Sequence, residues 1–213
     1  MNDPKRQFYS MDVSVYDFKT SEAAASHGYL MPVLMPLLQT HASSKRVFEL
    51  GCGNGSTAAR LHAEGFSVTG VDPSASGLAV ATQRGLDLHQ GSTEEDLAAR
   101  FGTFPVVISL EVVEHVFSPK LYAERVHDLL EPGGVAIIST PYHGYLKNLA
   151  LAVTGKMDGH FTALWEGGHI KFFSRQTLGT LFNRVGMEEI GFERAGRIPQ
   201  LAKSMICVYR KGG

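Results

Sequence analysis

Glu49, Gly51, Gly53 and Gly55 lie in the run Val47-Phe48-Glu49-Leu50-Gly51-Cys52-Gly53-Asn54-Gly55-Ser56, where a short apolar stretch ends in a carboxylate and alternating glycines. The run predicts strand, tight turn and helix start, with bare main chain at the turn. Glycine is needed there because the turn demands positive φ and because a ligand must approach backbone with no Cβ in the way. Charge then separates the possible ligands. A dinucleotide fingerprint spaces its glycines G-x-G-x-x-G and seats a pyrophosphate on the helix N-terminus. Here Ser56 stands where the third glycine would fall, and no Lys follows as a phosphate loop requires. Glu49 repels phosphate and suits a cationic ligand. Asp72 closes the next apolar run, Ser67 to Val71, roughly 20 positions on, where a carboxylate accepts hydrogen bonds from ribose hydroxyls. The competing role for Asp72 is a cap ahead of Pro73-Ser74.

A second group of chemically able residues follows a later strand. Glu111, Glu114 and His115 occur in the stretch Leu110-Glu111-Val112-Val113-Glu114-His115-Val116. Histidine titrates near neutral pH, so His115 is the first candidate for a general base and His169 the second; for either, the alternative is to orient a substrate only. His143 and His160 are weaker candidates, and His27, His41, His62, His89 and His127 read as surface or packing residues.

The elements that must position these groups alternate between strand and helix. Thr57 to Glu64 reads as a helix stopped by Gly65, Leu78 to Arg84 as a second, and Leu86 to Gln90 as a third strand. In Gly91 to Leu97, Ser92 or Thr93 followed by carboxylates also suits a helix cap. Phe104 to Leu110 is a continuous apolar run of the kind a buried parallel sheet uses. Ser118-Pro119 opens a helix with a cap and a first-turn proline, Glu131-Pro132-Gly133-Gly134 ends it, and Val135 to Thr140 is the fifth strand. A long connection, Tyr142 to Gly168, carries Tyr145, Phe161 and Trp165 and a short helix at Tyr145 to Thr154; it leaves the carboxyl end of strand five and can roof a substrate as a lid. Ser174 caps a further helix, and Met187 to Arg194 and Ser204 to Arg210 are antiparallel neighbours at the end. Residues 1–46 form an aromatic-rich arm, helical from about Ser21, in which Pro32 and Pro36 break or kink the helix.

At 213 residues the chain suits one α/β domain with a small appendage. Twenty basic and 21 acidic residues give a net charge of −1, which makes no electrostatic case for nucleic acid. Cys52 and Cys207 lie far apart without a C-x-x-C pair, as expected in a reducing compartment. Neither a secretory leader nor a membrane span is expected, since Met1 to Ser10 is polar and Tyr29 to Leu38 is too short and holds two prolines. The expected location is the cytoplasm. A peripheral membrane contact through Tyr145, Leu146, Leu149, Ala150 and Val153, flanked by Lys147 and Lys156, is a weaker option than simple packing of that short helix.

Taken together, E-x-G-x-G-x-G at Glu49 to Gly55, Val71-Asp72, Glu131-Pro132-Gly133-Gly134 and the strand order resemble class I S-adenosylmethionine-dependent methyltransferases over nearly the whole chain. The E-x-x-E-H stretch, Ser139-Thr140-Pro141 and His169-Ile170-Lys171-Phe172-Phe173-Ser174 resemble the ubiquinone-biosynthesis O-methyltransferases and their bacterial relatives. Those enzymes usually carry a longer N-terminal region with an Arg facing the cofactor carboxylate, and no residue of this sequence is assigned to that role. The resemblance implies a Rossmann-like, doubly wound, seven-stranded and mostly parallel sheet with one antiparallel strand and helices on both faces. It implies an arm over residues 1–46 and a methyltransferase domain over 47–213, with the lid at about 142–168. It further implies S-adenosylmethionine, whose sulfonium and ammonium match Glu49, held by Glu49, Gly51, Gly53, Gly55 and Asp72, with Leu110 alongside and Ser92 and Thr93 at the adenine.

In the quinone-pathway enzymes the E-x-x-E-H stretch is associated with a divalent cation. Folded as one helical turn, Glu111, Glu114 and His115 would share a face and suit Mg²⁺ or Mn²⁺; the alternative is a metal-free site with His115 beside the cofactor. The run Gly168 to Ser174 also recurs in the superfamily as the approach to the next helix, which gives His169 a structural alternative. Three functions remain open: methyl transfer to an oxygen of a small hydrophobic or aromatic acceptor, methyl transfer to RNA or protein, and cofactor binding without turnover.

Overall fold

The computed structural model describes residues 22, 25–82, 84–161, 163, 164 and 167–213. Most of the arm's aromatic residues, the expected helix start at Ser21, and Trp165 lie outside the described residues. Strands β1 (Arg46–Leu50), β2 (Ser67–Asp72), β3 (Asp87–Gln90), β4 (Phe104–Leu110), β5 (Leu130–Pro141), β6 (Met187–Ala195) and β7 (Ser204–Lys211) form one sheet in the order β3-β2-β1-β4-β5-β7-β6. Only β7 runs antiparallel to its neighbours. The chain reverses direction of travel across the sheet between β1 and β4, which pair in parallel from Val47 opposite Val106 to Glu49 opposite Ile108. In an open α/β sheet the carboxyl ends of strands at such a switch point are where ligands bind.

Helices cover both faces. On one, Phe48, Val107, Ala136, Ile138 and Cys207 pack under α4 (Leu97–Phe101), α5 (Pro119–Leu129) and α8 (Arg175–Asn183). On the other, Val47, Val106, Ile108, Ile137 and Ile206 pack under α1 (His27–His41) and α2 (Ser56–Ala63). β4 reads Phe-Pro-Val-Val-Ile-Ser-Leu because both its faces are covered.

Three local expectations are corrected. Neither Pro32 nor Pro36 breaks α1, which continues through both. The prolines sit four apart on the exposed face, so the carbonyls deprived of donors meet water, while Leu30, Leu34 and Leu38 bury the opposite face. α3 spans Ala75–Thr82, three residues earlier than its apolar pattern suggests, because the Ser74 hydroxyl accepts the Gly77 N–H (3.2 Å). The cap of α4 is Asp96, which accepts from Ala99 N–H at 3.0 Å, and not Ser92 or Thr93. The connection from Tyr142 to Gly168 contains α6 (Tyr145–Val153), as expected, and also α7 (Met157–Phe161), which was not expected.

Candidate active site

The glycine turn follows β1 directly. Gly51, Gly53 and Gly55 have φ of 85°, 51° and 73°. A Cβ on Gly51 would run into the Val112 side chain. Gly51 and Cys52 N–H both donate to the Val71 carbonyl, at 2.8 and 3.0 Å. Asp72 then joins the turn to β2: its Oδ2 accepts from Gly53 N–H and its Oδ1 from Ser74 N–H, both at 2.8 Å. Burial raises the Asp72 pKa, and these two donors work against the rise. The carboxylate thus shapes the turn as well as facing the site, and each oxygen retains acceptor capacity for a hydroxyl.

Glu49 is 2% exposed. Burial pushes its pKa up to about 8, opposed by a Thr57 hydrogen bond and reinforced by Asp72. Its Oε2 accepts from no donor among the described residues. A buried carboxylate in that position is costly unless a cation meets it, so its chemistry fits the ammonium group of S-adenosylmethionine. Ser92 and Thr93 lie just beyond Gln90, which pairs with Asp72, and both are half-buried, as is Leu110 at the end of β4.

His27 was expected only to pack or face solvent. Its Nε2 lies 2.7 Å from Thr57 Oγ1 and 3.2 Å from Ser56 Oγ, and Asn54 Nδ2 donates to the Glu22 carbonyl at 2.9 Å. The start of α1 therefore sits on the glycine turn.

Residues 111–115 form a tight non-helical turn, and Glu111 has φ of 55°. The shared helical face expected for Glu111, Glu114 and His115 does not form. Glu111 turns toward the ends of β5 and β7, where its two oxygens accept from Ser139 Oγ (2.7 Å) and Ser204 Oγ (2.9 Å). Burial raises its pKa to about 7 against these donors and Lys147. Glu114 is buried too. Its pKa is raised by desolvation and then by Glu111, with Thr140 Oγ1 donating to Oε2 at 3.0 Å and no described donor on Oε1.

What joins His115 is His169, just past the long connection that follows β5. The Glu114 carbonyl accepts from Ile170 and Lys171 N–H at 2.9 and 3.0 Å, and His115 Nδ1 donates to the Gly168 carbonyl at 3.2 Å. These bonds bring the two imidazoles to 4.9 Å between ring centroids. Glu114, His115 and His169 each offer one ligand atom, all within 4.8 Å of one another. Burial lowers the His115 pKa, and burial with the neighbouring histidines and Lys147 takes His169 to about 4. Both shifts favour the neutral ring.

His169 also lines a cavity of about 770 Å³ together with His143, Asn148, Phe161, Phe172 and Thr177. Phe161 and Phe172 meet edge to face, 5.0 Å apart, and His143 stacks near-parallel to Phe161 at 6.0 Å. Phe172 and Ser174 were singled out only within the run His169 to Ser174 and, for Ser174, as a helix cap, while Asn148 and Thr177 were not singled out at all.

A sheet of this order with a bare glycine turn at its switch point is a Rossmann-like fold. Residues 23–190 match the family model described as a methyltransferase domain, and the chain belongs to that family. It is an S-adenosylmethionine-dependent methyltransferase. Ubiquinone biosynthesis O-methyltransferase from Dinoroseobacter shibae is 30% identical over 194 residues, 87% of this chain and 75% of the relative. The protein of the same name from Cereibacter sphaeroides (strain ATCC 17025) is 29% identical over 202 residues, 91% and 77% of the two chains. Among solved structures, a protein from Pyrococcus horikoshii OT3 superposes with a TM-score of 0.67 at 19% identity, covering 92% of this chain and 96% of its own. Magnesium protoporphyrin IX methyltransferase from Synechocystis PCC 6803 gives 0.59 at 20% identity, covering 85% and 80%. These likenesses show the fold. No helix among the described residues is long and apolar enough to cross a membrane.

Proposed function

We propose that this chain transfers the methyl group of S-adenosylmethionine to an oxygen of a small aromatic acceptor held beneath α6 and α7. The observation that carries the reading is the neutral His115–His169 pair, set between the end of β4 and an aromatic-walled cavity. The names of the relatives support the choice of oxygen, and the balanced charge favours a small acceptor over RNA.

When bound, S-adenosylmethionine supplies a methyl carbon made electrophilic by its sulfonium. In this reading Glu49 meets the ammonium, Asp72 the ribose hydroxyls, Ser92 and Thr93 the adenine, and Leu110 lines the site, while Gly51, Gly53 and Gly55 allow close approach. His115 is the base. With its Nδ1 proton donated to Gly168, its basic lone pair is on Nε2, which takes the acceptor's hydroxyl proton as the oxygen attacks. His169 is the weaker base of the two and orients the acceptor. The connection at about 142–168 acts as a lid that excludes water, and the described start of the N-terminal arm, at His27, sits over the turn. The buried free thiols of Cys52 and Cys207 support a reducing, cytoplasmic setting.

A second reading keeps a cation. The grouping of Glu114, His115 and His169, with Glu114 Oε1 unpartnered, gives two imidazoles and one carboxylate in place of the set that included Glu111, which fits Mn²⁺ better than Mg²⁺. Incubation with labelled S-adenosylmethionine and panels of phenols, catechols, carboxylic acids and amines, with and without chelator, separates the readings. O-methylated phenol or catechol formed in chelator is the expected result. Activity abolished by chelator and restored by Mn²⁺ selects the cation, and label appearing only on amines or macromolecules contradicts the assignment.

A further inference from the structure

Glu111 stands where a glycine would be at ease. Its φ of 55° lies in the left-handed region, and among the described residues only Arg197 shares a positive φ without being glycine. A side chain in such a conformation persists where its surroundings hold it there. Here the carboxyl is what they hold. Ser139 Oγ accepts the Glu111 N–H at 3.0 Å and donates its own proton to Oε1 at 2.7 Å, while the Ser139 carbonyl shares the same N–H at 3.2 Å. Ser204 Oγ donates to Oε2 at 2.9 Å. With its proton committed to Glu111, Ser204 Oγ is the acceptor for the Tyr29 hydroxyl, 3.3 Å away. Both serines are buried. One side chain therefore ties a strained turn to the ends of β5 and β7 and, through Ser204, to α1.

The same turn carries His115. Val112, the next residue, lies over Gly51 of the glycine turn. The His115 N–H closes the turn on the Val112 carbonyl at 2.9 Å, and the far side of the turn meets Gly168, Ile170 and Lys171. Those partners lie outside the sheet, so they do not fix where the turn sits on it. Two carboxyls do: Glu114, through Thr140 on β5, and Glu111, through β5 and β7 together. We propose that Glu111 is a positioning residue, whose carboxyl, clamped by Ser139 and Ser204, holds the 111–115 turn in the conformation that sets the His115 ring against Gly168 and His169. It acts through His115 and not on the reacting atoms. Its effect on rate rests on the reading of His115 as base; its hold on the turn does not.

The test uses the full chain and three substitutions. Glu111→Gly removes the carboxyl and relieves the positive φ, so it separates the clamp from the strain. It should lower kcat about tenfold or more with S-adenosylmethionine affinity little changed, and Ser204→Ala should do the same to a smaller extent. Glu111→Gln should restore most of the rate, because an amide can accept from one serine hydroxyl and donate to the other. Amide hydrogen exchange at Ile170 and Lys171, which donate to the Glu114 carbonyl, should quicken about tenfold in Glu111→Gly and stay near wild type in Glu111→Gln. The decisive readout is Glu111→Gly made on His115→Ala: a residue that acts through the ring costs nothing further once the ring is gone. Unchanged exchange in Glu111→Gly, or its full loss of rate added to that of His115→Ala, overturns the proposal, as does wild-type turnover by Glu111→Gly where His115→Ala is impaired. Wild-type turnover by His115→Ala refutes the base instead, and exchange at Ile170 and Lys171 then decides the hold on the turn alone.

Discussion

At the scale of single residues, two carboxylates at the glycine turn have different work. Asp72 accepts two backbone N–H bonds, so it holds the turn and the site at once. Asp72→Ala should therefore weaken S-adenosylmethionine binding by about 1–3 kcal/mol and lower the melting temperature as well; equal affinity of variant and wild type by calorimetry would remove it from the site. His115 is tested differently. His115→Ala should cut turnover about a hundredfold or more while cofactor affinity stays near the wild-type value. If single-turnover rates are unaffected, the ring is not the base. Glu111 illustrates what sequence spacing cannot reach. E-x-x-E-H implied a shared helical face, but a positive φ at Glu111 and two serine hydroxyls from β5 and β7 draw its carboxyl away. Those serines lie 28 and 93 positions along the chain, beyond any local pattern.

At the scale of elements, the signals that were legible are those made and satisfied within a few residues. Ser118 caps α5, accepting from Leu121 N–H, and Ser174 with Thr177 forms a capping box on α8. β4 matches its apolar run from Phe104 to Leu110. Loss of the Ser174 cap in Ser174→Ala should cost about 1 kcal/mol, read as a lower denaturation midpoint with unchanged slope; no shift would mean the box contributes nothing. α1 and α7 were harder to read. The prolines of α1 are tolerated because of which face they occupy, and that face is set by the tertiary contacts of Leu30, Leu34 and Leu38. α7 is five residues long with none buried, too short to show a period. The His115–His169 pairing likewise rests on the Glu114 carbonyl accepting from Ile170 and Lys171 N–H, more than fifty positions along the chain, as the roughly 53-residue span from His115 to Gly168 shows.

At the scale of the whole molecule, the switch point between β1 and β4 gathers Glu49, the glycine turn and Glu111 to His115, and the connection after β5 returns His169 to the same edge. The strand succession and the single antiparallel strand followed from the sequence; which side chains line the cavity did not, because α6, α7 and the residues before α8 meet only in three dimensions. Glu49 lies at the centre of this arrangement and links it to pH. Its folded pKa, about 8, stands above the ordinary 4.5, so its neutral form stabilises the cofactor-free fold. That contribution is complete below the unfolded pKa and is lost as pH rises toward 8. Thermal melts of the cofactor-free protein should therefore weaken across that range.

The most direct test of the account is calorimetry of S-adenosylmethionine binding at pH 7 in buffers of different ionisation enthalpy, on wild type and Glu49→Gln. If the ligand's ammonium meets Glu49, binding drives the carboxyl to ionise, so the wild type should release close to one proton and bind more tightly as pH rises toward 8. Glu49→Gln should bind more weakly and release none. Tight binding by the variant with the same proton release as wild type would contradict the placement of the cofactor at this turn.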